Sequence, residues 1–307
     1  HNSARFCDWY IYPTNAKQTV CATRDDIDCS MIHLPFHLKA HHDAVIYGDI
    51  RMPDEGKAPI ILIIHGFRGS KDWGFFPYIA QEFVKNGAIT ITWNMSLNGY
   101  SQGASYIDKP DEFAKNTITQ ELSDTLTILH ALQDTSTDLH SMIASRWNGT
   151  LSMIGHSRGA GIAILSAEQM PSIRSLSLWN PISRFGRFTD RQKNIWKETG
   201  IFQVDETEDG IPVMMNYSYI EDLELHGEKY SILRSIQELE CDILIVHAEQ
   251  DMTVPLREAI KLQEYAKHAS LNVIPATGHI FGCTHPLIEA TTALNTALQH
   301  TIEFFGL

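Results

Sequence analysis

The sequence predicts an α/β fold: a doubly wound, mainly parallel sheet with antiparallel strands at the front and a small inserted cap. Three observations carry that expectation. From residue 60 onward, short apolar runs alternate with amphipathic stretches of helical length. Two segments of period-two alternation precede them. One tract, from Pro181 to about Leu239, breaks the rhythm without contributing a core strand.

Each element has a local reason. Over 31–41, Ile32, Leu34, Phe36, Leu38 and Ala40 alternate with His33, Pro35, His37, Lys39 and His41. This is the period of a half-buried strand. Pro35 cannot donate to a ladder, so the strand belongs at a sheet edge. Over 44–52 the pattern repeats, with Ala44, Ile46, Gly48, Ile50 and Met52 on one face, and 53–57 is a turn. Residues 60–64 are apolar without interruption, as a strand covered on both faces would be. A helix is expected over 73–85, ended by Asn86-Gly87, then a strand over 88–93. A long amphipathic helix over 113–132 leads to a strand at 151–154, a helix at 158–170 and a strand at 175–179. The chain closes with a strand (242–247), a helix (256–269), a strand (271–275) and a helix (about 286–305). Inside the irregular tract a helix fits 189–199. A hairpin fits 202–204 and 213–219 about Asp209-Gly210, and a polar helix fits 221–238. The tract, about 182–239, reads as a cap over the C-terminal edge of the sheet. Residues 1–30 read as an N-terminal extension to a domain spanning 31–307.

Bulk properties narrow the function. The chain has 307 residues, 43% hydrophobic and 20% charged, enough for one sizeable core. Its formal charge of −13, from 37 acidic and 24 basic residues, argues against nucleic acid or anionic membranes as partners. No apolar run approaches the ~18 residues of a membrane span. Five cysteines, Cys7, Cys21, Cys29, Cys241 and Cys283, form no C-x-x-C. That set suits free thiols and a cytoplasmic setting, with one disulfide among the first three left open. The start at His1 leaves a trimmed leader open as well.

Residues 151–165 read LSMIGHSRGAGIAIL: an apolar run, G-x-S-x-G, then a second small and apolar run. A serine on a sharp strand-to-helix turn occupies strained backbone space. Its neighbours two before and two after must be nearly free of side chain. The turn sets the Ser157 hydroxyl at a helix N-terminus, where negative charge is favoured. A hydroxyl needs a base, and the base an orienting acid, both on loops after strands. Asp251 follows the strand DILIVHA, and His279 follows LNVIPATG. Glu249 is a second candidate acid, and His285 a second candidate base in the same loop. Asp242 lies at the wrong strand end, and His247 reads as a core residue. An oxyanion would need waiting backbone donors: the N–H of Arg158, after the serine, and that of Phe67, in HGFRG after the central strand.

With HGFRG at 65–69, GHSRG at 155–159, HAEQDMTVP at 247–255 and ATGH at 276–279, the chain resembles the α/β-hydrolase superfamily over about 31–307. It looks most like the dienelactone-hydrolase and cinnamoyl/feruloyl-esterase branch. NMSLNGYSQG at 94–103 loosely matches the G-H-G-x-S segment of that branch. The resemblance implies Ser157 as nucleophile, His279 as base, Asp251 as acid, and Phe67 and Arg158 as oxyanion donors. It implies a small-molecule ester as substrate and neither cofactor nor metal. A peptidase or amidase on small substrates, and a non-catalytic binding protein, are the alternatives.

Other residues carry two readings each. His33, His37 and His41 share one strand face; solvated edge side chains outweigh a metal site. Met214, Met215, Tyr217 and Tyr219 either line an acyl pocket, with Met214 and Tyr217 as its contacts, or form the cap's own core. The Arg158 side chain either anchors the cap through acidic residues or is simply solvated. Trp73, Phe75 and Phe76 read as packing. Oligomeric state is not legible.

Overall fold

A computed structural model describes residues 31–41, 44–207 and 210–307. The N-terminal extension, Cys7, Cys21, Cys29 and Asp209 lie outside the described residues. The first strands follow the alternation closely: β1 (Met31–Lys39) and β2 (Val45–Pro53) pair antiparallel. β3 (Ala58–Ile64), α1 (Phe76–Lys85) and β4 (Ile89–Trp93) come next. They are followed by α2 (Pro110–Phe113), α3 (Ile118–Gln133), α4 (Asp138–Ile143), β5 (Trp147–His156), α5 (Arg158–Gln169) and β6 (Ser175–Trp179). The tract between β6 and the next core strand folds as α6 (Asp190–Thr199), β7 (Ile201–Glu206), β8 (Pro212–Asn216), α7 (Ser218–His226), a 3-10 turn (Gly227–Tyr230) and α8 (Ile232–Glu238). The chain closes with β9 (Asp242–Ala248), α9 (Leu256–Tyr265), β10 (Ala269–Ile274) and α10 (Thr292–Phe305).

Eight strands form one sheet in the order β1-β2-β4-β3-β5-β6-β9-β10. Pairings from β4 to β10 are parallel, and β2 alone runs against its neighbours. After β3 the chain moves outward to β4, then returns to the other side of β3 as β5. The loops leaving β3 and β5 therefore diverge, opening a crevice at the carboxyl ends of the strands. β3 alternates between two cores: Ile60, Leu62 and Ile64 face α3 and α5, and Ile61 and Ile63 face α1 and α10. Both sides of the central strand are thus dry, which is why its sequence shows no polar alternation.

Several boundaries differ from expectation, each for a local reason. The helix expected over 113–132 is two helices. The Thr117 side chain accepts the Gln120 N–H and restarts the helix there. The helix expected from 73 begins at Phe76, because Gly74 has φ +47° and Pro77 suits only a first turn. The closing helix begins at Thr292, capped by Thr291, which leaves 280–290 as a loop. The polar helix over 221–238 is broken at Gly227, φ +43°. α8 packs on α5, where Arg234 and Glu168 meet through two hydrogen bonds of 2.6 and 2.8 Å.

The inserted tract packs around Trp196, which is fully buried and belongs to the same core as α3 and α5. Phe188 and Phe202 lie 5.0 and 5.2 Å from it, and Tyr219 stacks on it at 6.0 Å. Its indole N–H donates to the Met215 carbonyl. Among the described residues no helix is long and apolar enough to cross a membrane.

Trp196→Ala should destabilise the protein by about 3–5 kcal/mol, the cost of emptying a buried aromatic site. Urea titration with an unchanged m-value checks this; a shift below about 1 kcal/mol would mean that the tract can close around the loss.

Candidate active site

Ser157 sits between β5 and α5 with φ +56° and ψ −115°, a conformation that costs a residue bearing a Cβ. The flanking glycines explain why the turn can exist. A Cβ on Gly155 would lie 2.5 Å from the Ala160 Cα, and one on Gly159 2.5 Å from the His65 carbonyl oxygen. Both contacts are with backbone, so neither can be relieved by turning a side chain. The elbow thus presses directly against the end of β3.

His279 and Asp251 arrive from the loops after β10 and β9. The Ser157 hydroxyl lies 3.0 Å from His279 Nε2, and His279 Nδ1 lies 2.6 Å from Asp251 Oδ2. The Asp251 side chain is fully buried. Burial pushes its carboxyl up. The hydrogen bonds from His279 and from the Val254 and Thr253 N–H groups outweigh that and hold it below the ordinary carboxylate value. An ionised Asp251 requires Nδ1 to carry the proton, so Nε2 is left to accept from the serine. Hydroxyl, imidazole and carboxylate in this series can move the serine proton onto the ring and stabilise the imidazolium.

The competing residues are engaged elsewhere. Glu249 accepts the Ala276 N–H. His285 accepts the Gly74 N–H on Nδ1 and donates from Nε2 to the Ser105 carbonyl, so both ring nitrogens are taken. His247 is a core residue whose Nε2 donates to the Val254 carbonyl. Asp242 begins β9, at the opposite strand end. On the edge strand, His33 pairs with Asp49 at 3.0 Å. Among the described residues no group of three or more His, Cys, Asp or Glu side chains could hold a metal ion.

Two residues that sequence reasoning missed hold His279 from behind. Asn180, fully buried after β6, donates to the His279 carbonyl at 2.7 Å and accepts the Ala248 N–H at 2.7 Å. His156 donates to the same carbonyl at 3.0 Å. Burial, with His279 close by, pushes the His156 imidazole down to about 3, so it stays neutral. The dipeptide Asn180-Pro181 after a strand was the only sequence signal for Asn180, and a turn explains that equally well.

The loop HGFRG runs against the elbow: a Cβ on Gly66 would lie 3.2 Å from the Ser157 Cβ. His65 pins the loop, donating to the Gly66 carbonyl and accepting the Met95 N–H. NMSLNGYSQG braces it further. The Asn98 amide donates to the Gly69 carbonyl, and the Tyr100 hydroxyl to the Arg68 carbonyl. Among the described residues, neither the Phe67 nor the Arg158 backbone N–H has an acceptor in a turn, loop or cap. The Arg158 side chain is buried, not solvated. Its guanidinium pairs with Glu121 of α3, rather than with an acid of the inserted tract, and reaches Tyr219 of that tract.

A cavity of about 380 Å³ opens over Ser157, walled by Phe67, Trp73, Phe76, Tyr100 and Tyr106 among others. The β7–β8 hairpin supplies Asp205, Glu206, Thr207 and Val213 to it. Met214 and Tyr217, expected as pocket contacts, are not among its lining residues. On β8 the neighbours of Met214 are buried and Met214 itself is only half-buried, while Tyr217 packs edge-on against Trp196. Met215 and Tyr219 are fully buried core. Trp73 and Phe76, expected as packing, do pack on Phe75 and in addition line the cavity.

No known family model matches the chain. It is 24% identical to Serine hydrolase BPHL of Mus musculus over 236 residues, 71% of this chain and 72% of that protein. Among solved structures it superposes on Est1E from Butyrivibrio proteoclasticus with ferulic acid bound. There the TM-score is 0.64 at 18% identity, covering 88% of this chain and 97% of that one. Dienelactone hydrolase from Anabaena variabilis matches with a TM-score of 0.55 at 13% identity, covering 89% and 97%. The chain has the α/β-hydrolase fold.

Acid stability should report on two buried groups, Asp124 and His156. Burial pushes Asp124, under the Ser96 loop, from 3.8 up to about 7, against the hydrogen bonds from Ser96 and Gln120. An acid raised on folding stabilises at low pH and loses that contribution as pH climbs from about 3.8 to about 7. His156, depressed from 6.5 to about 3, does the opposite and loses stability as pH falls through that window. The two oppose each other. Asp124→Asn removes the first and leaves the second. Relative to the parent, its stability should fall as pH drops from about 7 toward 3.8, by up to about 1.4 kcal/mol per pH unit. Urea midpoints measured between pH 4.5 and 7.5 should diverge; parallel curves would contradict the assignment.

Proposed function

We propose that the protein is a serine hydrolase that cleaves carboxylic esters of small molecules through an acyl-enzyme. The observation that carries this reading is the hydrogen-bonded series Ser157–His279–Asp251 at a positive-φ strand-to-helix turn. Ser157 Oγ attacks the ester carbonyl while His279 Nε2 takes its proton. The carbonyl electron pair moves onto oxygen, and the oxyanion is met by the free N–H groups of Phe67 and Arg158. Collapse expels the alcohol, which receives the proton from His279. Water then repeats the sequence on the acyl-enzyme: His279 takes its proton, the acid leaves, and Ser157 recovers its hydrogen. Asp251 holds the ring in the productive tautomer and stabilises the imidazolium without itself becoming protonated.

The inserted tract, about 182–239, acts in this reading as a cap that shapes the acyl pocket through its hairpin. A mouse relative named as a serine hydrolase, and a structural neighbour holding ferulic acid, support the class of reaction. The aromatic cavity wall supports an ester carrying a flat or apolar acyl group.

Ser157→Ala should reduce kcat by about 10⁶-fold, and Asp251→Asn by about 10⁴-fold, with the fold intact. His279→Ala should match the serine variant, and His285→Ala should fall far less. Hydrolysis of p-nitrophenyl acetate measures all four. If purified Ser157→Ala keeps more than about a hundredth of the activity, the nucleophile is another group.

Specificity should follow the cavity wall rather than the residues expected from the sequence. Trp73→Ala or Tyr106→Ala should change kcat/KM for feruloyl relative to acetyl esters by about 1–3 kcal/mol per pocket contact. Met214→Ala should leave that ratio unchanged. A change at Met214 and none at Trp73 and Tyr106 would move the acyl pocket to the far side of the hairpin.

A further inference from the structure

Arg158 is an unexpected occupant of its position. It stands at the first residue of α5, where the helix dipole disfavours a cation. Its side chain is nevertheless almost wholly enclosed, 9% exposed, beside Glu121 at 7%. Nη1 donates to Glu121 Oε1 at 3.2 Å, and the same oxygen accepts the Asn116 amide at 2.7 Å. A buried ion pair adds little stability over well-packed apolar side chains of similar volume. What it does supply is geometry: a planar guanidinium can be held in one place by a carboxylate at its edge and rings against its faces.

Rings are present. The guanidinium carbon lies 3.8 Å from the centre of the Phe67 ring and 5.1 Å from that of Tyr219. Phe67 belongs to the loop after β3. Tyr219 belongs to the inserted tract, where Trp196 stacks on it at an interplanar angle of 7°. One side chain of the elbow's own helix therefore touches α3, the facing loop and the insertion. The two backbone N–H groups proposed to receive the oxyanion belong to Phe67 and to Arg158 itself.

We propose that the Arg158–Glu121 pair is a positioning device for the oxyanion hole. The guanidinium, held by Glu121 and in contact with the Phe67 and Tyr219 rings, fixes the separation of the Phe67 and Arg158 N–H groups. Through Tyr219 it makes that separation depend on how the inserted tract is seated. The inference rests on the reading of Ser157 as nucleophile. It adds a role for two charged side chains that do not touch the substrate. The loop and the elbow arrive from different strands: hydrogen bonds from His65, Asn98 and Tyr100 brace the loop and the Phe67 ring meets Phe113 at 5.5 Å, while the guanidinium joins that ring to α5. Small errors matter in such a site: a displacement of about 1 Å can cost on the order of 10²-fold in rate.

Glu121→Gln keeps the shape and removes the charge that holds the guanidinium. Arg158→Met keeps the stem and removes the plane. Each should lower kcat on short p-nitrophenyl esters by about 10- to 100-fold, with KM within about twofold of the parent. The decisive readout is a trifluoromethyl ketone, whose carbonyl carbon Ser157 Oγ attacks, the proton passing to His279 and the electron pair to the new oxyanion. Its affinity should fall by the same factor as kcat/KM, because both depend on the hole. Arg158→Lys, which keeps the charge but not the plane, should recover less than half of the loss on a logarithmic scale. Should the charge variants fail to fold, Tyr219→Leu removes one ring and leaves the pair. It should lower kcat and inhibitor affinity together, by about 3- to 10-fold. Variants that fold, melt lower and yet keep parental kcat and inhibitor affinity would overturn the proposal and reduce the pair to packing. Failure of the underlying reading shows separately, as an active Ser157→Ala protein.

Discussion

The backbone at Ser157 has φ +56°, where a side chain costs about 1–3 kcal/mol, and the surroundings must hold it there. They do so by proximity. β5 pairs with β3 on one side and β6 on the other, and α5 departs at once over the end of β3. Gly155 and Gly159 allow backbone to meet backbone where any Cβ would collide. The Ser157 N–H is itself tied to the Trp179 carbonyl at the end of β6. The hydroxyl is left at the one place in the sheet where neighbouring loops part. The crevice, the loop HGFRG and the helix N-terminus all take their positions from that turn.

His279 shows how precision is added to such a site from outside it. Its ring is held at one end by a buried carboxylate and meets the serine at the other. Its carbonyl is held by Asn180 and His156 together. Asn180 also takes the N–H of Ala248, at the root of the loop that carries Asp251. A single amide therefore fixes His279 relative to the Asp251 loop, and His156 fixes His279 relative to Ser157, which follows it in sequence. Burial keeps His156 neutral, so this support does not place a second positive charge beside the imidazolium that the chemistry would form.

The inserted tract is coupled to the same centre without entering the proton path. Its packing around Trp196, continuous with the main core, gives it a fixed shape. Its hairpin lends Asp205 to an ion pair with Arg68 and Val213 to the cavity wall. Tyr219 lies against the Arg158 guanidinium. A segment that shapes the pocket thus also rests on the side chain between the elbow and the Phe67 loop. Pocket shape and backbone donors share one set of contacts.

The sequence by itself determined the core strands of the sheet and the three residues Ser157, His279 and Asp251 that the fold brings into hydrogen-bonding distance. It could do so because those features are local. Period two marks β1 and β2, an unbroken apolar run marks β3, and G-x-S-x-G between strand and helix marks the elbow. An acid and a histidine after successive strands must then reach the same edge. Helix boundaries at Thr117, Phe76 and Thr292 were missed, because a capping hydroxyl or a positive-φ glycine overrides hydrophobic periodicity. Only the tertiary structure decided which side chains face the cavity. Met214 and Tyr217 do not line it, because the hairpin's faces are set by what it packs on, whereas Trp73 and Phe76 pack in the core and line it as well. Only the tertiary structure could pair Arg158 with Glu121, or bring Asn180 behind His279. Those contacts join residues far apart in the chain, and no local pattern encodes the partner of a buried polar group.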